Sequence, residues 1–405
     1  MKKLSKGVLL GVVLSAACLV GCGDKKEPGQ EELTITPGPV TEMPSGTGEA
    51  VISHNGAEAE MLSKLVSEGK LWQLSGRLPK AEAVYQASEV NGQYSESVCM
   101  AAVVDDGITG ALFSEGLFAL ASDGSIVPNI AKGYSVNADA TIYTILLREG
   151  LRWSDGVPFT ADDCLFYYNS LCVSEVTGES IPSCFLVGTK RATFEKVNDY
   201  CFTVTFSSAK PSFLREMTEA GGVCFAPEHF YVNLLPEYMG EDAALSKAKD
   251  MGYASVKEVL RATLLCPCNF AGLPTLNAFL LSTEEGKNNV NGAYYEFVRN
   301  PYYWKVDVVG RQLPYLDRME FTRVSGEKQR LLLTTEGYLA VSRITAEELS
   351  EAQASAEQGG YHIVTWSEGS RFAVCNRLMN FPEGAPAEEK SRGIGAAHAE
   401  YWYMK

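Results

Sequence analysis

Helix starts and strand runs interleave along this chain, and that alternation narrows the possible folds more than any other feature. Three capping boxes mark helix starts: Thr160-Ala-Asp-Asp163, Ser255-Val-Lys-Glu258 and Thr345-Ala-Glu-Glu348. In each, a hydroxyl accepts an amide of the first turn, and the acid three residues on returns to the cap's own amide. Gly359-Gly360 supplies a stop for the third helix. The runs at 141–147, 201–207, 294–298 and 318–324 are apolar by alternation, or rich in β-branched and aromatic residues, and predict strands. Ser122-Asp123-Gly124, Ser154-Asp155-Gly156 and Val309-Gly310 predict turns between such runs. No fixed period links these elements. The expected body is α/β, mixed α+β, and a solenoid is excluded.

The N-terminus predicts an address. Residues 1–6 are basic and residues 7–20 are apolar or small. That is a secretory leader, too short to span a bilayer. Leu19-Val20-Gly21-Cys22 resembles the bacterial lipobox, which implies cleavage after Gly21 and a diacylglycerol on Cys22. Residues 22–56 then form a lipid anchor and linker, rich in Gly, Pro, Ser, Thr and Glu. The expected location is outside the cytoplasmic membrane, tethered and not spanning.

Charge narrows the partners. The chain carries 35 Lys and Arg against 50 Asp and Glu, a net −15. Without Lys2, Lys3 and Lys6 of the leader, 32 cations face 50 anions, or −18. Such a surface repels phosphate backbones, so nucleic acid is not an expected partner. Of the 11 Cys, nine lie beyond the leader and anchor. No CxxC pair occurs, and Cys266-Pro267-Cys268 is too tight for a zinc knuckle. Cys164 and Cys201 occupy apolar positions of a predicted helix and strand and are read as buried small hydrophobes.

Catalytic signatures are absent from the sequence. It has no G-x-S-x-G elbow, HExxH, Walker A or EF-hand loop. His54, His229, His362 and His398 are scattered. Gly393-Ile-Gly395-Ala-Ala-His398 lacks the third glycine and the flanking strand of a dinucleotide loop. No enzyme, cofactor or metal site is expected. Asp162-Asp163 is explained by helix capping and the helix dipole. Asp105-Asp106-Gly107, read from composition, is a solvated turn.

Two ordered blocks carry a family resemblance. The first is Pro128-Asn-Ile-Ala-Lys-Gly-Tyr, then Tyr143-Thr-Ile-Leu-Leu-Arg-Glu-Gly150, then Arg152-Trp-Ser-Asp-Gly-Val-Pro-Phe-Thr-Ala-Asp-Asp163. The second is Arg299-Asn-Pro-Tyr-Tyr-Trp-Lys-Val-Asp307, followed by Gln312-Leu-Pro-Tyr-Leu-Asp317. Glu115-Gly-Leu-Phe118 is similar to an early strand of the same family, and Arg77-Leu-Pro79 to its larger lipoprotein branch. The pattern resembles that of the family 5 extracellular solute-binding proteins, the oligopeptide and dipeptide receptors of ABC importers, across residues 70–366. Trp153, Ser154, Asp155 and Gly156, with Asn300, Pro301, Tyr303 and Trp304, are read as fold markers. Trp153 is a core anchor, and Tyr302-Tyr303-Trp304 locks a strand to the following turn.

The resemblance implies a periplasmic-binding-protein-like type II fold, in which two lobes close on a solute. Implied partners are an oligopeptide or other small solute such as an oligosaccharide, an ABC permease and its ATPase, and the membrane through the lipid anchor. The chain is expected to be a monomer. The expected division is a leader (1–21), the anchor and linker (22–56), a first lobe (57–115 and 216–345) with an inserted subdomain (116–215), a crossover (346–376) and an atypical tail (377–405). Thr335-Glu-Gly-Tyr-Leu-Ala340 lacks the Asp usual at that step. The family pattern fades after about Asn376, so the second lobe is expected to be largely missing, and a truncated, non-transporting lipoprotein fragment is the alternative expectation to a transport role. Asp105, Asp106 and Gly107 fall near where the family places loops on the ligand side.

Overall fold

Two four-stranded sheets organise the described part of this protein. A computed structural model describes residues 58–80, 83–84, 94–103, 115–121, 124–173, 180–265, 267–290, 292–307, 309–336, 338–339, 341–344, 347–359, 361–365 and 372–376. In chain order the main elements begin α1 (Glu60–Ser67), β1 (Ser95–Val103), β2 (Ala131–Val136), β3 (Ile142–Leu147), α2 (Ala161–Phe166), β4 (Thr193–Asn198), β5 (Cys201–Thr205) and α3 (Phe213–Glu219). They continue with α4 (Glu228–Tyr231), α5 (Glu241–Asp250), α6 (Val256–Leu265), β6 (Phe279–Leu281), β7 (Tyr294–Arg299), β8 (Leu316–Val324) and α7 (Glu327–Thr335). The last are β9 (Val341–Ile344), α8 (Leu349–Gly359), β10 (Tyr361–Thr365) and β11 (Phe372–Asn376).

One antiparallel sheet runs β2-β3-β5-β4. β3 alternates, with Tyr143, Ile145 and Leu147 turned to the core. β5 is buried along almost its whole length, as an interior strand must be. β4 at the edge buries Phe194 and leaves Glu195, Lys196 and Val197 to solvent, a polar edge that discourages strand addition. The sequence placed strand ends within two residues of those observed. β5 ends at Thr205, and the Phe206 amide still donates to the Thr141 carbonyl at 2.8 Å in the same register.

The second sheet runs β6-β7-β8-β1. β7 pairs antiparallel with both β6 and β8, while β1 is parallel to β8. The register sets Val324 beside Val103, so β1 and β8 reach their carboxyl ends together. One hydrophobic cluster spans both sheets, from Ile145 and Phe202 in the first to Phe297, Met319 and Phe321 in the second. The helices after residue 227 form a smaller cluster around Tyr231, Leu235 and Leu260. A third sheet, β9-β11-β10, is antiparallel. Arg330 of α7 ties this region together from a buried position, donating to Glu327 at 2.7 Å, Ser342 Oγ at 3.0 Å and both oxygens of Glu348.

The Thr160 box forms as expected. Thr160 N donates to Asp163 Oδ2 at 2.9 Å, and Thr160 Oγ1 accepts from Asp162 N at 3.2 Å. The Ser255 box is skewed. Glu258 N reaches Ser255 Oγ at 3.3 Å, but the Glu258 carboxylate accepts from Ala254 N rather than from Ser255 N. Thr345 lies outside the described residues, and Glu348 is spent on Arg330. After α2 the chain continues without a break into a π-helical turn, Tyr167–Cys172. Among the described residues Cys164, Cys172, Cys184, Cys201 and Cys224 are free thiols. Cys164 and Cys201 are both buried. Burial raises the Cys164 and Cys224 thiols well above their usual range and pushes Cys184 up to about 11. These thiols act as apolar packing units.

Candidate ligand-facing edge and the clamp behind it

Three residues that the sequence analysis passed over, Thr275-Leu276-Asn277, draw both signature blocks together. Ser154 N donates to the Thr275 carbonyl at 2.9 Å, and Thr275 N donates back to Ser154 Oγ at 3.1 Å. Asn300 Nδ2 donates to the Asn277 carbonyl at 2.9 Å. The Trp304 indole N–H donates to the Leu276 carbonyl at 3.2 Å. Finally, the Glu115 amide donates to Asn277 Oδ1 at 3.0 Å. A segment with no regular structure would leave its polar backbone unpaired; here the signature residues satisfy it.

The rest of each block fits that clamp. Trp153 is 2 % exposed and packs edge-on to Phe159 with centroids 5.6 Å apart. Asp155 accepts from Val157 N at 3.1 Å and lies 2.8 Å from His229 Nε2. Gly156 adopts φ +89°, and a Cβ there would sit 2.8 Å from the Tyr302 hydroxyl. Tyr302 N is held by Asn300 Oδ1 at 2.8 Å, and the Pro301 carbonyl accepts from Gln312 Nε2 at 3.1 Å and from Arg77. Tyr303 and Trp304 are fully buried.

Behind the clamp lies a dense polar knot centred on Glu115. Its carboxylate accepts from the Tyr303 hydroxyl at 2.6 Å and from Asn129 Nδ2 at 2.7 Å, and pairs with Lys305 Nζ at 2.9 Å. Lys305 also faces the Trp304 ring at 5.2 Å. Arg148 donates to the Asn129 carbonyl at 2.7 Å, and burial lowers its pKa to about 10. These groups leave little polar capacity for a solute. Their effect is positional, because they fix the point where the chain returns after β1.

That point matters because of where β1 ends. In α/β sheets a ligand crevice forms beyond the carboxyl ends of parallel strands. Here those ends are Val103 and Val324, side by side. Ser325-Gly326 leads from β8 into α7, and Ser325 binds Gln329 Oε1 through both its amide and its hydroxyl, at 2.8 and 2.9 Å. The segment from β1 to Glu115 includes Asp105, Asp106 and Gly107. Those three residues lie outside the described part, as does Cys22.

Asp163 gives this framework a response to pH. It is buried and accepts from Thr160 N and, at 3.2 Å, from Glu228 N. Burial raises its pKa to about 6; those amides, the nearby Trp153 indole and His229 oppose the rise without cancelling it. The folded state therefore holds this proton more tightly than the unfolded chain does. Its contribution to stability is complete below the unfolded value of about 4 and is lost as pH rises through about 6. Asp163→Asn should flatten that segment of the pH profile, removing ~2 kcal/mol of variation between pH 4 and 7. Urea midpoints of both forms across that range check it. An unchanged profile would contradict the assignment.

Comparisons with known proteins agree with this framework. The sequence pattern of the bacterial extracellular solute-binding proteins, family 5 (middle), matches residues 125–250. The periplasmic alpha-galactoside-binding protein of Rhizobium meliloti is 29% identical over 285 residues, covering 64% of this chain and 38% of that protein. A probable ABC transporter-binding protein of Deinococcus radiodurans is 25% identical over 240 residues, covering 58% of this chain and 36% of its own length. Among solved structures, an oligopeptide-binding protein OppA superimposes with a TM-score of 0.71 at 27% identity, covering 78% of this chain and 50% of the other. MelB of Agrobacterium fabrum, solved with stachyose, gives a TM-score of 0.58 at 22% identity, covering 81% and 52%. The chain thus spans about half or less of the length of these relatives. The architecture is that of a type II periplasmic binding protein, mixed α and β. No described helix is long and apolar enough to cross a membrane.

Proposed function

We propose that this chain, whose residues 125–250 match the bacterial extracellular solute-binding proteins of family 5, is the solute-binding component of an ABC importer. It captures oligopeptides outside the membrane and hands them to a permease, with diacylglycerol on Cys22 as the tether. The observation that carries this reading is the joint carboxyl edge of β1 and β8, with Asp105, Asp106 and Gly107 directly downstream of it. Two adjacent carboxylates suit the ammonium terminus of a peptide, and Gly107 permits close backbone approach. No bond is made or broken, and no cofactor or metal enters. Binding draws on backbone and side-chain hydrogen bonds with water filling unused space, which gives affinity with broad choice of sequence.

The division of the chain follows the same reading. Residues 57–115 and 216–345 form the first lobe, 116–215 an inserted subdomain, and 346–376 the crossover toward a second lobe. The protein works as a monomer. A second reading, oligosaccharide capture, is favoured by the 29% identity to the alpha-galactoside-binding protein. Carboxylates at 105 and 106 would then accept sugar hydroxyls.

Thermal-shift measurements on the full chain separate the two readings. A pool of short peptides is expected to raise the melting temperature; at a hundredfold excess over Kd the gain is about 2.7 kcal/mol. A shift with stachyose and none with peptides would replace the first reading by the second. No shift with either would contradict a binding role.

A further inference from the structure

The described body begins beside an exposed tryptophan that its neighbours hold in place. Trp72 is 55% exposed. The Arg152 guanidinium lies over its ring at 4.6 Å and is itself fixed by bonds to the Gly76 and Gly156 carbonyls, at 3.2 and 2.8 Å. The indole is therefore presented to solvent on a rigid backing, since a stacked cation restricts its rotation. Helix α1 lies just upstream, with Leu62 buried, Met61, Leu65 and Val66 half-buried, and Lys64 exposed. Leu71 and Leu74 flank Trp72 and are half-buried.

Placement makes this cluster more than an incidental patch. Arg77 bonds the Trp72 carbonyl at 2.9 Å through Nε and the Glu58 carboxylate through Nη2. One side chain thus bridges Trp72 to the first described residue. Only residues 23–57 separate that residue from Cys22 in the sequence. Charge does not oppose this placement. Lys70 pairs with Glu68, Arg77 is buried against Glu58 and Lys80 pairs with Glu149, so the stretch 58–80 is close to neutral in a mature chain whose net charge is −18. An anionic leaflet repels such a patch less than it repels the acidic remainder of the chain.

We propose that Trp72, backed by Arg152 and bordered by α1, is a membrane-resting face that seats the body on the lipid surface beside its tether. Tryptophan favours the headgroup boundary, where one side of the ring is apolar and the N–H is wet. The contact supplements the acyl anchor and sets orientation, with the opposite face of the body turned to solvent. This inference rests on the tether in the proposed function, so the test uses two forms of attachment.

The full chain is bound to phosphatidylcholine–phosphatidylglycerol vesicles containing brominated lipid, either by its own acyl group or by an N-terminal hexahistidine on nickel-chelating lipid. Tryptophan emission is then compared between the native chain and Trp72→Phe. The native chain is expected to be quenched in both forms, and Trp72→Phe to lose most of that quenching. Equal quenching of the two proteins, or none in either form, would overturn the proposal. Trp72-dependent quenching on nickel lipid, with no acyl mass on Cys22, would support the face and contradict the tether alone.

Discussion

Arg77→Met is expected to cost the fold about 3–5 kcal/mol, the range found when one partner of a buried ion pair is removed. Arg77 is 0% exposed. Its guanidinium donates to Gln312 Oε1 at 2.9 Å, to the carbonyls of Trp72 and Pro301, and to Glu58. Methionine fills similar space but leaves Glu58, the Gln312 amide oxygen and two carbonyls without that donor. The Glu58 side chain is only 14% exposed, so water reaches it poorly. Burial lowers the Arg77 pKa and Glu58 opposes that shift. Adding Glu58→Met to Arg77→Met should recover part of the loss, because no carboxylate is then stranded. Urea midpoints of the single and double variants measure both effects. A loss below about 1 kcal/mol for Arg77→Met would mean that Glu58 and the carbonyls find water instead.

The second large effect is expected at Glu115. Glu115→Ala takes its carboxylate away from Lys305, whose side chain is 8% exposed, and from Tyr303 and Asn129. The expected cost is again about 3–5 kcal/mol. Glu115→Ala with Lys305→Met should be less damaging than Glu115→Ala alone. The Glu115 amide also anchors the chain at Asn277, so the backbone path survives when only the side chain changes. Calorimetric unfolding of the three proteins decides this. Equal loss in the single and double variants would show that Tyr303 and Asn129, not the ion pair, carry the cost.

Local chemistry was readable from the sequence, and long-range closure was not. The Thr160 box, the alternation of β3 and the apolar run of β5 are each determined within a few residues, so periodicity and capping rules apply to them directly. The buried thiols at Cys164 and Cys201 follow from their positions on those elements. The Thr275–Asn277 clamp has no periodicity and works mainly through carbonyls and one asparagine, so nothing in its composition marks it. The Glu115–Lys305 pair joins residues 190 apart, and only the assembled sheet brings them together. Arg77 was legible as part of a family resemblance, but two of its four polar contacts depend on where residues 301 and 312 fold. The signature at Trp153–Gly156 and Asn300–Trp304 is memorable in sequence because it builds the scaffold. Tyr303 and Trp304 are fully buried, and Ser154 and Asn300 are spent on the clamp.

The candidate ligand edge differs in kind from that scaffold. It is defined by the shared carboxyl ends of β1 and β8 and by the fixed return of the chain at Glu115. A scaffold this saturated with internal bonds leaves recognition to the segments that emerge from it, which is the usual division of labour between core and loops.

Hydrogen exchange of the full chain, with and without a saturating solute found by thermal shift, tests that placement most directly. The account predicts slowed exchange in peptides covering residues 104–114 and the Ser325–Gly326 turn, with the Trp153–Gly156 turn unchanged. Protection centred on residues 153–156 and 300–304, or no protection anywhere, would contradict it.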